Sequence, residues 1–283
     1  MGGKTKIVRT LKELRKTVAK WREHGDSVAL VPTMGALHAG HLSLVKLASK
    51  KADRVVVSIF VNPTQFAPHE DLARYPRDEA GDVAKLHEAG CDLVWAPNVE
   101  EMYPEGFSTS VTPGSAAKPL EGEFRPHHFA GVTTVCCKLF SQVTPDIAVF
   151  GEKDFQQLAV LRQMVRDLNL PLKLVGAPTK REKDGLALSS RNAYLSEKER
   201  AVAPMLQAAL AELASEVANG VDIKSAIETA KRKVRNAGFT KIDYIAVADA
   251  ETLQSVTSHG PRPLRVLAAA WLGKTRLIDN VAV

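Results

Sequence analysis

Short apolar runs alternate with amphipathic segments along the first two thirds of the chain. Continuous apolar runs of about four to eight residues are typical of strands that are buried on both faces of a parallel sheet. By this criterion we predict strands at residues 28–31, 54–60, 92–96, 146–150 and 172–175, with a short edge strand at 107–111. Apolar residues at helical spacing predict helices at residues 10–25, 42–51, 77–89, 131–142 and 155–169. The segments rich in Pro, Gly and polar residues at 61–76 and 121–129 are predicted to be loops.

The order of these elements predicts an α/β fold with a parallel sheet flanked by helices, because helices that connect strands form right-handed βαβ units. After about residue 179 the pattern changes. Ser196 and Glu199 form a capping box, and Pro204 interrupts the helix that follows. A second helix is predicted at 222–236, and strands are predicted at 244–247, 266–271 and 276–279. We therefore predict a first domain at residues 1–179 and a smaller α+β domain at residues 180–283.

The junction between the first clear strand and the next helix carries two histidines. Gly35, His38, Gly40 and His41 form a short loop ahead of a helix predicted to begin at Leu42. Unpaired N–H groups at a helix N-terminus attract anions, and histidines add further donors for phosphate oxygens. The His-x-Gly-His spacing matches neither the three-glycine dinucleotide fingerprint nor the P-loop. The alternative is that the glycines serve tight backbone geometry and the histidines are ordinary polar residues.

Other polar residues also follow predicted strands. Gln65 follows the strand at 54–60, and Lys153 and Asp154 follow the strand at 146–150. Ligands bind at the carboxyl ends of the strands in parallel sheets, so these side chains are candidates for one shared site. Asp154 has helix capping as its alternative role, and Gln157 lies one turn into the next helix.

The segment Leu188-Ser-Ser-Arg-Asn192 offers two hydroxyls and a guanidinium near the predicted domain boundary. It is either a solvated turn in which Ser caps a helix or a mobile segment that closes over a polyphosphate. His127 and His128 lie in the segment predicted to be a loop, and no third ligand is spaced to form a metal site with them.

The composition of the chain argues against several classes of function. The net charge of +6 favours anionic ligands, but the basic residues are spread along the 283 residues rather than clustered as in nucleic-acid-binding proteins. The three cysteines, Cys91, Cys136 and Cys137, are an odd number without zinc spacing, which favours reduced thiols. No apolar run reaches the length of a membrane span, and the first residues lack a signal-peptide core. We expect a soluble cytoplasmic protein without nucleic-acid or membrane partners.

Four segments, at residues 32–41, 58–66, 150–157 and 184–192, together resemble the pantothenate synthetase family in order and spacing. The His-x-Gly-His part alone is shared with the wider nucleotidyltransferase superfamily. The resemblance implies a Rossmann-like first domain, a C-terminal lid domain and a homodimer. It also implies that pantoate, β-alanine and ATP give pantothenate, AMP and pyrophosphate through a pantoyl adenylate. Mg²⁺ is expected as cofactor, bound mainly through ATP phosphates rather than by a cluster of protein carboxylates.

The resemblance also implies roles for individual residues. The residues expected to contact ATP are Met34, Gly35, Ala36, Leu37, His38, Ala39, Gly40, His41, Gly151, Glu152, Lys153, Asp154, Lys180, Leu188, Ser189, Ser190 and Arg191. The expected catalytic residues are His38, His41, Lys153 and Arg191, and the residues expected to hold pantoate and β-alanine are Gln65 and Gln157. The chain departs from the family at His127, where Gly is usual, and at Lys180, where an apolar residue is usual.

Two other function classes stay open from the sequence. One is a related nucleotidyltransferase that moves a nucleotidyl group onto a phosphorylated acceptor. The other is a non-catalytic nucleotide- or RNA-binding protein, which the basic charge alone favours. The two glutamines and the small second domain favour a small acid as substrate.

Overall fold

The structure is a computed structural model that describes residues 5–68, 70–258 and 260–283. The expectation about a signal peptide rests partly on residues 1–4, which lie outside the described residues. Contacts divide the chain into two compact units. The first contains the described residues up to Gly114, Arg125–Glu152 and Val160–Pro178, and the second contains Ser115–Phe124, Lys153–Ala159 and Thr179–Val283. No helix in the described ranges combines the length and the apolar composition that crossing a bilayer requires.

The first unit is built on a six-stranded parallel sheet, which confirms the predicted α/β fold. Its strands are β1 (Lys6–Val8), β2 (Val28–Thr33), β3 (Arg54–Ile59), β4 (Leu93–Trp95), β5 (Ile147–Gly151) and β6 (Lys173–Ala177). Their order in the sheet is β1-β4-β3-β2-β5-β6, and every neighbouring pair is parallel. The chain therefore winds outward from β2 to β3 and β4, and then returns to β5 on the other side of β2. This reversal makes the β2–β5 junction the switch point, where α/β sheets usually bind ligands.

The central strands are buried on both faces, which explains their continuous apolar sequences. Leu30 and Val56 are fully buried, and Val31 and Val57 belong to a core that also contains Val45 of the helix after β2. On β4, Trp95 is fully buried, and its indole N–H donates to Gln142 Oε1 at 3.1 Å. The only polar atom of that side chain is thus satisfied inside the core.

The helices that connect the strands are α1 (Leu11–Glu23), α2 (Ala39–Ala48), α3 (Glu79–Glu88), α4 (Val99–Met102), α5 (Glu121–Phe124), α6 (His128–Val143) and α7 (Phe155–Asp167). The short helices α4 and α5 were not predicted, and the other five lie close to their predicted positions. The capping box of Thr10 and Glu13 at the start of α1 is present. The prediction that α2 begins at Leu42 is wrong, because the His38 side chain caps the helix and the first turn starts at Ala39.

Three further local predictions were wrong. Residues 107–111 form no strand, because the Val111 N–H donates to Thr134 Oγ1 at 2.9 Å and the Val111 carbonyl accepts from Thr133 Oγ1 at 2.7 Å. The segment 121–129 is not a loop throughout, since it contains α5 and the start of α6. The segment 61–76 contains two single 3₁₀ turns, Pro63–Gln65 and Asp71–Arg74.

The strand β1 was not predicted, because three residues are too few to show a pattern.

The second unit contains the predicted α+β elements. They are α8 (Glu197–Val202), α9 (Pro204–Ala218), α10 (Ile223–Asn236), β7 (Lys241–Asp249), β8 (Leu264–Leu272) and β9 (Thr275–Ala282). The three strands form an antiparallel sheet in the order β7-β8-β9. The capping box of Ser196 and Glu199 is present, and Pro204 occupies the first turn of α9. Proline is tolerated there because the first turn has no intrahelical acceptor for its missing N–H.

Replacing Gly131 should destabilise the protein, because α6 approaches the loop after β3 very closely. A Cβ on Gly131 would lie 2.5 Å from the Thr64 carbonyl oxygen and 2.7 Å from Gln65 N, and backbone atoms cannot move aside cheaply. We expect G131A to lower the free energy of unfolding by about 1–3 kcal/mol, measured by urea or thermal unfolding. The control is G260A, because a Cβ at Gly260 meets nothing within 4 Å. Equal stability of the two variants would contradict the close approach.

Candidate functional site

The turn between β2 and α2 contains two consecutive residues with left-handed backbone. Gly35 has φ +81° and Ala36 has φ +51°. A Cβ on Gly35 would lie 3.1 Å from Asp82 Oδ2 and 3.3 Å from Ile59 Cγ2, so the conformation and the space both favour glycine. The Thr33 hydroxyl donates to the Ser58 carbonyl at 2.7 Å, which ties the start of the turn to β3. The turn is therefore a fixed structure at the end of the central strand.

His38 and His41 lie together at the N-terminus of α2, as predicted. His38 Nδ1 accepts from the Gly40 N–H at 3.1 Å, and His41 Nδ1 accepts from the His38 N–H at 3.4 Å. The ring centroids are 4.1 Å apart. Because Nδ1 is an acceptor in both rings, each neutral imidazole carries its proton on Nε2. The site thus combines two ring N–H donors with the N-terminal end of a helix, which favours an anionic ligand.

The loop after β3 brings Gln65 to the same turn. Gln65 Nε2 donates to Met34 Sδ at 3.0 Å, so two of the predicted site residues are in direct contact. Asn62 Nδ2 donates to Gln65 Oε1 at 3.1 Å and to the Gly131 carbonyl at 3.2 Å. The Tyr103 hydroxyl donates to Asn62 Oδ1 at 2.8 Å. Asn62 is almost fully buried and was not singled out from the sequence; its position directly after a central strand was the available signal.

The backbone of Gln65 is held by residues that precede or begin α6. His128 Nδ1 lies 3.0 Å from the Gln65 carbonyl oxygen, so this nitrogen carries the proton in that contact. Arg125 Nη2 donates to the same oxygen at 3.4 Å, and the Arg125 guanidinium makes two bonds to Glu70, at 2.7 and 2.6 Å. Burial alone would raise the pKa of Glu70, but the Arg125 pairing outweighs it and the pKa is lowered.

Two side chains of α3 hold the Leu37 backbone, and neither was predicted from the sequence. Asp82 Oδ1 accepts from the Leu37 N–H at 2.8 Å, and Lys85 Nζ donates to the Leu37 carbonyl at 3.0 Å. The available signal was the helical spacing of Asp82 and Leu86, which places a carboxylate on the apolar face of α3.

The predicted residues after β5 occupy a 3₁₀ turn, Glu152–Asp154, that leads into α7. Within the second unit, Asn280 Nδ2 donates to the Lys153 carbonyl at 2.9 Å. Lys153 Nζ lies 3.9 Å from Asp154 Oδ2, and the Lys153 side chain is mostly buried. Gln157 is half-buried, whereas its neighbour Gln156 is buried and donates to the Ala116 and Pro119 carbonyls at 3.0 and 2.7 Å.

The segment 180–192 brings two predicted residues together. The Leu188 N–H donates to the Lys180 carbonyl at 2.9 Å, so these residues face each other across a narrow loop. Ser189 Oγ accepts from the Arg191 N–H at 3.3 Å and caps the 3₁₀ helix Ser190–Tyr194, which is the capping alternative considered above. Arg181 anchors the loop with two bonds to Asp279, at 2.6 and 2.9 Å.

The cysteines are poorly suited to nucleophilic chemistry. Burial raises the pKa of the Cys91 and Cys136 thiols to about 12, so the reactive thiolate is scarce at neutral pH. Burial also raises the pKa of Cys137. Within the described residues, no group of three or more His, Cys, Asp or Glu side chains is arranged to hold a metal ion.

The pairing of Glu70 with Arg125 should make stability depend on pH. The folded pKa of Glu70 lies below its ordinary value of 4.5, so the stabilisation is present above that value and is lost as pH falls through the folded pKa. We expect E70Q to be less stable than the wild type by about 1–3 kcal/mol at pH 7, with the difference shrinking below about pH 4. Thermal unfolding across this range measures it, with E88Q at an exposed position of α3 as control. A difference that stays constant with pH would contradict the ion pair.

Comparison with known proteins gives consistent matches over the whole chain. A family model described as pantoate-beta-alanine ligase matches residues 6–282. The chain is 55% identical over 282 residues to a pantothenate synthetase from Caulobacter vibrioides, covering 98% of each protein. It is also 55% identical over 278 residues to a pantothenate synthetase from Rhodopseudomonas palustris, again with 98% of each protein covered.

Solved structures agree with the sequence matches. A pantothenate synthetase from Thermus thermophilus is 46% identical with a TM-score of 0.92, and the match covers 98% of this chain and 99% of that one. A pantoate-beta-alanine ligase from Francisella tularensis, solved in complex with beta-gamma ATP and beta-alanine, is 34% identical with a TM-score of 0.82, covering 98% and 97% of the two chains. These matches confirm the resemblance that the four sequence segments indicated, and the chain belongs to the pantoate–β-alanine ligase family.

Proposed function

We propose that the protein condenses pantoate with β-alanine through a pantoyl adenylate, using ATP and releasing AMP and pyrophosphate. The observation that carries this proposal is the contact of Gln65 with the turn that places His38 and His41 at the N-terminus of α2. This arrangement offers an amide for a small polar substrate beside donors suited to phosphate. Membership in the ligase family and the ATP and β-alanine bound to the Francisella relative support it.

In the first step, a pantoate carboxylate oxygen attacks the α-phosphorus of ATP, and the bond to pyrophosphate breaks. Both reactants are anionic, so the enzyme must neutralise charge while it aligns them. The Nε2–H groups of His38 and His41, with His41 as the acid, would donate to phosphate oxygens as charge develops. Lys153 and Arg191 would add full positive charges.

In the second step, the neutral amine of β-alanine attacks the acyl carbon of the adenylate. The new amide bond forms as the bond to AMP breaks, and the amine loses its proton. This sequence needs no enzyme nucleophile, which accords with the raised thiol pKa values of Cys91, Cys136 and Cys137. Residues 180–283 are proposed to act as a lid domain, because exclusion of water would protect the mixed anhydride from hydrolysis.

The proposed ligand contacts follow the residues predicted above. Pantoate would be held by Gln65 and Gln157, with β-alanine also near Gln65. ATP would contact the residues of 34–41, 151–154 and 188–191 together with Lys180. We further propose a homodimer and a cytoplasmic location.

Magnesium would reach the enzyme with ATP. The proposed phosphate-binding residues His38, His41, Lys153 and Arg191 are nitrogen donors, whereas Mg²⁺ prefers oxygen ligands. This donor set therefore fits the phosphate oxygens, and the phosphates and water would supply most ligands of the ion. When bound, Mg²⁺ would reduce the negative charge that the carboxylate of pantoate must approach.

The first experiment is ATP–pyrophosphate exchange with pantoate present and β-alanine absent. We expect exchange that requires pantoate, followed by AMP and pantothenate formation once β-alanine is added. Absence of exchange, with no pantothenate from the complete mixture, would contradict the proposed reaction. Transfer of a nucleotidyl group to a phosphorylated acceptor would instead indicate a related nucleotidyltransferase.

Removing the Lys153 ammonium should impair the first step specifically. We expect K153A to lower pantoate-dependent exchange by about two to three orders of magnitude, the usual loss for one transition-state donor. K50A, which removes an exposed lysine from the C-terminal end of the α2 region, is the control and should exchange normally. Near-normal exchange by correctly folded K153A would remove Lys153 from the mechanism.

A further inference from the structure

One helix holds the Leu37 backbone on both sides of its Cα atom. Asp82 accepts from its N–H at 2.8 Å, and Lys85 donates to its carbonyl oxygen at 3.0 Å. Lys85 Nζ also lies 3.5 Å from Asp82 Oδ1, so the two charges neutralise each other beside the peptide. Both side chains come from α3, a helix outside the segments proposed to contact ATP and pantoate.

The Asp82 carboxylate is buried, so it depends on the partners that it has inside the protein. Its side chain is only 1% exposed, whereas the Lys85 side chain is 43% exposed. A buried carboxylate is costly unless hydrogen bonds and a counter-charge satisfy it. Here the Leu37 N–H donates the hydrogen bond and Lys85 supplies the counter-charge. Asp82 Oδ2 occupies space beside Gly35, because a Cβ on that residue would lie 3.1 Å from it.

The Leu37 N–H that Asp82 accepts from lies directly before the segment that carries the histidines. Leu37 follows the left-handed residues Gly35 and Ala36 and directly precedes His38. A left-handed non-glycine residue is energetically unfavourable and persists only where its surroundings fix it. The His38 N–H in turn donates to His41 Nδ1, so a rotation of the Leu37 segment would displace both rings.

We propose that Asp82 is a positioning residue for adenylation, which sets the orientation of the His38 and His41 rings through its hydrogen bond to the Leu37 N–H. The expected effect of Asp82 on adenylation rests on the proposed function, whereas its expected effect on the orientation of the rings does not. Asp82 acts through a backbone group that precedes the histidines rather than through a bond to phosphate. We therefore expect the loss of Asp82 to change the orientation of the ring N–H donors, and with it kcat, rather than the affinity for substrate.

The kinetic test compares three variants on one helix. D82A removes the acceptor for Leu37, and we expect kcat for pantoate-dependent exchange to fall about 10- to 100-fold, with KM for ATP changed about threefold or less. D82N keeps an oxygen that can accept from Leu37 and should restore kcat to within about threefold of the wild type. D78A is the matched control, because Asp78 is a carboxylate of the same helix that caps its first turn through the Gly81 N–H.

Thermal unfolding separates positioning from loss of structure. D78A should unfold at a lower temperature than the wild type, because it loses the cap of α3, while keeping normal kcat. If D82A does not fold, D82S serves instead, since its shorter side chain keeps a polar group but cannot reach Leu37 in the same way. Normal kcat in a folded D82A or D82S protein, or an equal fall in D78A, would overturn the inference.

A second readout does not require the reaction. In ¹⁵N-histidine spectra, with His38 and His41 assigned from H38Q and H41Q, the wild type should show Nδ1 unprotonated and Nε2 protonated in both rings. We expect D82A to shift or mix these tautomers, and D82N and D78A to retain them. If the wild type lacks exchange, the proposed function fails and these spectra alone decide the positioning role. Unchanged tautomers in D82A would then reject it.

Discussion

The position of β2 between β3 and β5 is the constraint on which the candidate site depends. Parallel pairing forces the carboxyl ends of these strands to one edge of the sheet, so the segments that follow them emerge side by side. The turn after β2 provides His38 and His41, and the loop after β3 provides Gln65. A different strand order would leave the same residues scattered.

The turn after β2 and the loop after β3 are then fixed by polar side chains rather than by apolar packing alone. Asp82 with Lys85 fixes the first turn, and Asn62 with Arg125 fixes the loop of Gln65. The backbone N–H and C=O groups of loops have no partners in a helix or a sheet. Side chains must therefore supply their hydrogen bonds wherever water is excluded. The cost of burying these polar groups is offset by hydrogen bonds, and the result is a loop geometry with little freedom. Such preorganisation is what stabilisation of developing phosphate charge requires.

Much of the fold was predictable because regular elements have periodic sequences. The strands at the centre of the sheet, the capping box at Ser196 and the break at Pro204 were predicted from local patterns. Two of the wrong predictions concern places where side chains form the hydrogen bonds that backbone groups form in regular elements. Thr133 and Thr134 bond the backbone of Val111 in place of a neighbouring strand, and His38 caps α2 earlier than its apolar pattern indicated.

Local periodicity and motifs of fixed spacing were enough to predict the α/β class and the family, and to select the residues that we propose bind phosphate. Which polar side chains hold those residues in place depends on the three-dimensional packing of the chain. Asp82 lies 45 positions from Leu37, and Arg125 lies 60 positions from Gln65. A hydrogen bond between such distant residues leaves no periodic trace in a single sequence, since its geometry depends on how the helices pack against the sheet. The orientation of the histidines is therefore a property of the folded chain, although their presence is a property of the sequence.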